Sequence, residues 1–206
     1  GVRRRAAAIL QAISSYDDVN VVALCDVATN NLGQAMAEHQ GARGYIDFRK
    51  LLEQKDIDAV VISTPDNTHA VIGMPAMALG KHLYCEKPLT LRIEEGPRIV
   101  KAARENDRVC QVGMQQRSGW HYLFARDEYF RKKKLGKITM ARTWWHGNGY
   151  HLRKAPAALA QKPANLDWNR FLGPVKWRDW DPQQYWNFRA YLDFGDDWKS
   201  DFTVTV

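Results

Sequence analysis

Short apolar runs that stop at polar residues recur along residues 1–118, and this alternation limits the fold of the chain more than any other feature. The run at 60–62 has the length and composition of a buried strand, and it ends at a polar turn, residues 63–69. Stretches with helical spacing separate one run from the next. Strands that alternate with helices predict a doubly wound α/β fold with a parallel sheet and right-handed crossovers. The polar residues after each strand would then meet at the carboxyl edge of the sheet, where such folds bind ligands.

The element boundaries follow from the same pattern. Strands are expected at 21–25, 43–45, 58–63, 82–85 and 109–112, and helices at 1–14, 30–39, 48–54, 68–79 and 93–106. Gly80 stands where the C-terminus of a helix favours a residue with positive φ. No strand precedes the first helix, and Gly1 alone stands where a glycine-rich phosphate loop is expected. We therefore predict a doubly wound sheet that lacks its first strand.

The pattern changes after residue 118. A helix is expected at 120–130 and a strand at 137–145, followed by a stretch rich in Trp, Pro and Asn with little periodicity. We interpret this stretch as the start of a second domain, built of strands and long loops over the carboxyl edge of the sheet. The predicted organisation is a first domain at 1–118 and an incomplete second domain at 119–206.

Composition and charge exclude several classes of protein. An apolar fraction of 45% in 206 residues supplies a sizeable core, so the chain is not disordered. The net charge of +7 suits anionic ligands such as cofactor phosphates, while the scattered basic residues do not predict nucleic-acid binding. No apolar run reaches the roughly 18 residues of a membrane span, so no membrane partner is expected. The predicted location is cytoplasmic, with export left open.

The three cysteines, Cys25, Cys85 and Cys110, lie in or beside apolar runs and lack the spacing of metal ligands. Three thiols cannot all pair with one another. We predict buried free thiols and no metal site.

Asp26 follows the strand at 21–25 directly. A carboxylate after the second strand of a nucleotide-binding sheet accepts hydrogen bonds from the adenosine ribose, and its charge repels a 2′-phosphate. Asp26 is therefore a candidate cofactor ligand that favours NAD over NADP, and the alternative is a helix N-cap. The arginines at 3–5 begin the first helix, where they could meet a phosphate or lie in solvent.

The 63–69 turn offers hydroxyls and backbone groups at a strand end, which suit the ribose and nicotinamide of a dinucleotide. The candidate cofactor ligands in this turn are Ser63, Thr64, Pro65, Asn67 and His69. Asn67 or Thr68 could instead cap the next helix, which would make the segment a capping turn alone. His69 falls inside the first turn of that helix, and its contact with a ligand is left open.

Lys87 carries the strongest chemical signal, because Glu86, Lys87 and Pro88 follow a buried strand. Removal of a hydride from a secondary alcohol requires a base for the hydroxyl proton, and a lysine serves if burial or a nearby cation lowers its pKa. Pro88 fixes the backbone and could follow a cis peptide bond. Glu86 could orient the amine or the nicotinamide ribose. The alternative is a surface turn without a catalytic role.

Two polar residues follow the strand at 109–112. Gln115 could face the nicotinamide and Arg117 the substrate, or both could lie on a solvated loop.

Taken together, these residues resemble the Gfo/Idh/MocA oxidoreductases, the glucose–fructose oxidoreductase and inositol dehydrogenase type. The matching segments are 23–27, 63–69, 86–89, 112–117 and 166–174. The resemblance implies an N-terminal NAD(P)-binding Rossmann domain, a C-terminal α/β domain with an open sheet that forms dimers or tetramers, and sugar or polyol substrates. It matches Lys87 to the catalytic lysine and Asp26 to the ribose-binding acid. It places Trp168 and Arg170 in a loop that reaches back over the cofactor.

The chain departs from that family pattern near its end. Asp201 matches the aspartate of the catalytic D-x-x-x-H segment, but Thr205 stands at the histidine position. We therefore keep two alternatives beside an NAD-dependent sugar or polyol oxidoreductase. One is an NAD-dependent glycosidase of the same family type, and the other is a non-catalytic nucleotide- or sugar-binding regulatory protein or inactive fragment.

Overall fold

A computed structural model of the chain describes residues 1–142 and 153–195. Five strands form the centre of the fold: β1 Ala23–Cys25, β2 Arg43–Tyr45, β3 Ala59–Ile62, β4 His82–Glu86 and β5 Cys110–Gly113. All pairings are parallel, in a two-stranded sheet of β1 and β2 and a three-stranded sheet in the order β3-β4-β5. The predicted parallel α/β fold is confirmed, and every expected strand in residues 1–118 is present.

Helices alternate with these strands as predicted. Their bounds are α1 Arg5–Ile13, α2 Thr29–Glu38, α3 Phe48–Leu52, α4 His69–Ala78 and α5 Glu95–Glu105. Gly80 follows α4 with φ of 79°, which confirms the expected left-handed residue at the end of that helix. Because a helix connects each strand to the next parallel strand, the carboxyl ends of the strands lie at the same edge.

The two sheets are separated by a cleft between β1 and β3. Among the described residues no backbone ladder joins these two strands, so each keeps one unpaired edge. A cavity of about 1650 Å³ occupies the cleft, and residues of β1, β3 and α1 line it. An open position beside β1 and β3 agrees with the prediction that the sheet lacks its first strand.

The main apolar core joins the three-stranded sheet to α4 and α5. It contains Ile62, Ile72, Met77, Leu83, Cys85 and Ile99. A Cβ on Gly73 would lie 2.9 Å from Leu83 Cδ2, so the glycine lets α4 lie close against β4. This packing fixes the start of α4 and the end of β4 relative to each other.

The residues beyond Gly119 include α6 Trp120–Ala125, a π-helical turn Arg126–Phe130, α7 Trp168–Leu172 and α8 Pro182–Trp186. The predicted helix at 120–130 is thereby confirmed. The strand expected at 137–145 is wrong over 137–142, where the backbone is irregular and Met140 is 69% exposed, because no neighbouring strand pairs with it there. Residues 143–145 lie outside the described residues.

Residues 153–195 pack against the carboxyl edge of the sheets. The Asp167 N–H donates to the Val27 carbonyl (2.9 Å), and the Asn67 N–H donates to the Phe194 carbonyl (3.2 Å). An isolated antiparallel bridge joins Ala28 to Leu166. No strand occurs in 119–142 or 153–195, so the open C-terminal sheet and the domain boundary at residue 118 stay predictions.

Three further expectations concern cysteines, metals and membranes. Cys85 is buried, whereas Cys25 and Cys110 are partly exposed, so full burial was correct for one of the three free thiols. Burial raises the pKa of the Cys25 thiol to about 11. Within the described ranges, no group of three or more His, Cys, Asp or Glu could hold a metal. Over the same ranges, no helix has both the length and the apolar character needed to cross a bilayer.

Candidate functional site

Polar residues collect at the carboxyl edge of the sheets, as the sequence predicts. Asp26 follows β1, Ser63 follows β3, and Lys87 follows β4. Of the predicted site residues, the large cavity is lined by Asp26, Ser63, Thr64, Pro65 and Arg170. The fold therefore brings a carboxylate, two hydroxyls and a guanidinium to one concave surface.

Asp26 is held rigidly, with 8% of its surface exposed. Its Oδ2 accepts a hydrogen bond from the Val2 N–H, and its Oδ1 accepts one from the Ala28 N–H, both at 2.9 Å. Ala28, rather than Asp26, is the N-cap residue of α2, so the N-cap alternative is wrong. Because a carboxylate oxygen accepts more than one hydrogen bond, Asp26 keeps capacity for a ligand in the cavity.

Gly1 lies beside this carboxylate. A Cβ on Gly1 would lie 3.3 Å from the Ser63 carbonyl oxygen and 3.8 Å from Asp26 Oδ2. The backbone of Gly1 thus passes between the ends of β1 and β3 with little room for a side chain. Such close approach of backbone is what a glycine at a phosphate-binding position provides.

The three arginines that begin the first helix have different partners. Arg3 donates to the Gln34 amide oxygen, and the Arg4 guanidinium carbon lies 5.2 Å from the centre of the Trp186 ring. Arg5 Nε donates to Glu86 Oε1 at 2.8 Å. All three guanidinium groups therefore contact protein groups, so this helix end is not simply solvated. Contact with a phosphate stays a prediction.

The 63–69 turn contains a short 3₁₀ helix, Asp66–Thr68, before α4. The Thr68 hydroxyl lies 2.7 Å from Thr64 Oγ1 and 2.8 Å from the Pro65 carbonyl. Asn67 is 3% exposed, and its Nδ2 donates to the Leu172 carbonyl at 3.0 Å. Thr68 is the N-cap residue of α4, which confirms that alternative by position, although its side chain bonds no N–H of the helix. Asn67 instead ties the turn to the end of α7.

Glu86 and Lys87 differ in their environments. Glu86 is the last residue of β4, and its side chain is 9% exposed and paired with Arg5. The hydrogen bond with Glu86 raises the pKa of the Arg5 guanidinium. Lys87 is partly exposed, and the Lys87–Pro88 peptide bond is cis, as predicted. Lys87 thus lies next to an ion pair in which the carboxylate is buried and the guanidinium is partly exposed.

The remaining predicted residues differ in exposure and in their partners. Gln115 and Arg117 are exposed on the short 3₁₀ helix Gln115–Ser118 after β5. Trp168 is buried, donates from Nε1 to the Arg178 carbonyl at 2.9 Å, and stacks on Phe171, so it is a core residue of the 153–195 segment. Arg170 pairs with Asp167 and lies 3.6 Å from Asp47.

Sequence reasoning missed Asp47 and the pairing of Arg5 with Glu86. Asp47 comes two residues after β2 and caps α3 by accepting the Arg49 N–H at 3.0 Å. Hydrogen bonds from the Arg49 side chain lower the pKa of Asp47 to about 2. Its position after a strand was a usable signal, because Asp26 occupies the same kind of position after β1. Arg5 offered no such signal, since its partner is 81 residues away in the chain.

A parallel α/β sheet with an acidic residue after β1 and polar turns at the ends of β3 and β4 defines a dinucleotide-binding fold. The model of the Gfo/Idh/MocA family, an oxidoreductase family with an NAD-binding Rossmann fold, matches residues 2–114. The chain belongs to this family.

Similar proteins and structures agree with that assignment. Inositol 2-dehydrogenase of Salmonella typhimurium is 27% identical over 145 residues, which are 69% of this chain and 42% of the relative. Inositol 2-dehydrogenase 2 of Saccharopolyspora erythraea is 30% identical over 138 residues, which are 66% of this chain and 40% of the relative. The crystal structure of the WlbA dehydrogenase from Bordetella pertussis, in complex with NADH and UDP-GlcNAcA, superposes with a TM-score of 0.63 at 29% identity. That superposition covers 67% of this chain and 40% of the other. The chain thus spans about two fifths of the length of these relatives.

Proposed function

We propose that the protein is an NAD-dependent oxidoreductase that transfers a hydride between a nicotinamide cofactor and a hydroxyl-bearing carbon of a sugar or polyol. The proposal rests on two observations: Asp26, the 63–69 turn and Lys87 each follow a parallel strand, and Asp26, Ser63 and Thr64 line one cavity. Relatives named as inositol dehydrogenases support the class of substrate.

The residues around the cavity fit a dinucleotide. Ser63 Oγ is a buried oxygen with no hydrogen-bond partner among the described residues, and Ser63 lines the cavity beside Asp26. An unpaired buried hydroxyl costs free energy unless a ligand or water satisfies it. Asp26 would accept hydrogen bonds from the ribose, and the backbone at Gly1 would lie close to phosphate.

Asp26 also supports the preference for NAD. Each oxygen of the carboxylate accepts one backbone N–H, and these two bonds hold it at the cavity. A 2′-phosphate beside it would place like charges close together, which weakens binding. Arg170, paired with Asp167, lines the same cavity as Asp26.

Lys87 is proposed as the acid/base. The nicotinamide, when bound, supplies the hydride acceptor, and the protein supplies alignment and proton transfer. Lys87 Nζ would take the hydroxyl proton as the carbon loses its hydride and return it in the reverse reaction. The fixed Lys87–Pro88 turn would hold the amine at the reacting carbon, with Gln115 at the nicotinamide and Arg117 at the substrate.

The full-length protein is proposed to form a homo-oligomer and to act in the cytoplasm. No contact among the described residues bears on either proposal. The homo-oligomer follows from the resemblance to the family, as does a sugar or polyol partner rather than nucleic acid. Asp201, which matches a second catalytic group of the family, lies outside the described residues.

Separate titrations of NADH and NADPH, followed by energy transfer from tryptophan to the nicotinamide, test the proposal. Saturable binding with NADH preferred is expected. Turnover of inositols and sugars is then compared between wild type and Lys87→Ala, which should bind NADH normally and lose activity by about 10²–10⁴-fold. Binding of neither nucleotide by a folded chain would reject the proposal. Turnover without net NADH formation would identify a glycosidase, and binding without turnover a regulatory protein.

A further inference from the structure

His69 links the two turns that carry the proposed site. Its Nδ1 lies 2.7 Å from the Pro88 carbonyl oxygen, and its Nε2 lies 2.9 Å from the Thr64 carbonyl oxygen. The ring is 1% exposed, so no water competes for either nitrogen. One imidazole therefore spans the space between the 63–69 turn and the Lys87 turn.

Both partners of the ring are hydrogen-bond acceptors. A neutral imidazole carries one N–H and one lone pair, so it can donate to only one of the two carbonyls. The other nitrogen would then present its lone pair to an oxygen at hydrogen-bond distance, which is repulsive. An imidazolium donates to both carbonyls at once. The presence of a second ring proton therefore decides whether His69 donates to one of the two carbonyls or to both.

The surroundings of His69 have opposing effects on the stability of its neutral and protonated forms. Burial lowers the pKa of His69, while the hydrogen bonds to Pro88 and Thr64 and the charges of Glu86 and Glu95 act to raise it. Glu86, at the end of β4, is paired with Arg5, and Glu95, in the first turn of α5, accepts the N–H groups of Leu91 and Arg92. The neutral ring is thus the form at neutral pH, and acidification supplies the second donor.

We propose that His69 is a positioning residue for the cofactor: protonation of its ring adds a second hydrogen bond that draws the 63–69 turn and the Lys87 turn together and tightens dinucleotide binding. The effect on binding rests on the proposed function, because Ser63 and Thr64 must contact the nucleotide for it to appear. The proton-dependent bonding of the two carbonyls does not depend on that function.

The first experiment reads the ring and its partners directly by NMR. Imidazole ¹⁵N shifts of His69 and carbonyl ¹³C shifts of Thr64 and Pro88 are followed from about pH 8 to about pH 4.5, because burial lowers the pKa of His69 below the ordinary value of a histidine. His69→Gln assigns the ring signals. We expect one protonated nitrogen at high pH and two at low pH, with one carbonyl shift moving along the same titration curve. A ring whose signals stay unchanged in a folded chain, or carbonyl shifts that ignore the ring's titration, would overturn the inference.

The second experiment measures affinity for NAD⁺ by quenching of tryptophan fluorescence over the same pH range. Wild type should bind about threefold to tenfold more tightly once His69 is protonated, the effect of about one hydrogen bond. His69→Gln, which cannot gain a proton, should show no such step. His39→Gln, at the end of α2 and far from the carboxyl edge, serves as the control and should keep the wild-type trend.

The outcomes separate the two proposals. An equal pH trend in wild type and His69→Gln would overturn the positioning role while leaving the proposed function intact. No binding of NAD⁺ at any pH would reject the proposed function, and the NMR titration would still decide whether the proton controls the two carbonyl bonds. If His69→Gln does not fold, the titration of the carbonyl shifts in the wild-type protein decides between one bonded carbonyl and two.

Discussion

Arg5 Nε lies 2.8 Å from Glu86 Oε1, and this ion pair connects the first turn of α1 to the strand end that precedes Lys87. The Glu86 side chain is 9% exposed and that of Arg5 is 39% exposed, so the carboxylate depends on Arg5 for much of its charge compensation. Loss of the arginine would leave a buried charge beside the proposed catalytic lysine.

Arg5→Gln should therefore lower the free energy of unfolding by about 1 kcal/mol, a value reduced from that of a buried pair because Arg5 is partly in solvent. Urea unfolding followed by circular dichroism measures the change. Arg43→Gln is the matched control, because it removes an ion pair with Asp56 in which both side chains are exposed, and it should change stability little. Equal losses in the two variants would show that Glu86 does not need Arg5.

Asp26→Asn tests the proposed choice of cofactor. The amide oxygen can still accept one backbone N–H, while the charge that would repel a 2′-phosphate is removed. We expect the preference for NADH over NADPH to fall by about tenfold, the effect of losing one charged interaction. The ratio of the two dissociation constants measures it, with Asp127→Asn, an exposed carboxylate outside the cavity, as the control. An unchanged ratio would remove Asp26 as the selecting residue.

Gly113→Ala tests the crowding beneath Glu86. A Cβ there would lie 2.8 Å from Glu86 Oε1 and 2.9 Å from the Tyr84 hydroxyl, and Arg5 limits how far Glu86 can move. The variant should lose about 1–3 kcal/mol of stability, as overpacking does elsewhere. Gly33→Ala, in α2 with nothing within 4 Å of the new methyl, should instead gain up to about 1 kcal/mol. Both values come from urea unfolding, and a neutral Gly113→Ala would show that Glu86 is free to shift.

Asp47 predicts a defined pH dependence of stability. Hydrogen bonds from Arg49 lower the pKa of this carboxyl from 3.8 to about 2 in the folded protein. The folded state therefore prefers the ionised form, so the stabilisation is complete above about pH 3.8 and is lost as the pH falls through about 2. The difference in free energy of unfolding between wild type and Asp47→Asn should shrink over that window. A constant difference across it would contradict the pKa shift.

Much of the fold follows from local patterns in the sequence. The apolar runs that became β1 to β5, and the helical spacing between them, fix the element order, because strand and helix periodicity are set by neighbouring residues. The positive φ of Gly80 was also predictable, since backbone geometry at glycine is local, while the cis bond before Pro88 was only one of two possible isomers. Asp26 and Lys87 lie at the carboxyl edge for the same reason, because each follows a buried parallel strand.

The tertiary structure decided which side chains meet. Asn67 bonds the Leu172 carbonyl instead of capping α4, Trp168 enters the core of the 153–195 segment, and residues 137–142 find no strand to pair with. Arg5 with Glu86, and His69 between Thr64 and Pro88, likewise depend on how α1 and α4 pack on the sheets. The sequence by itself determined the order of the elements and the edge where polar groups collect. Contacts between residues distant in the chain depend on packing, which local periodicity does not encode.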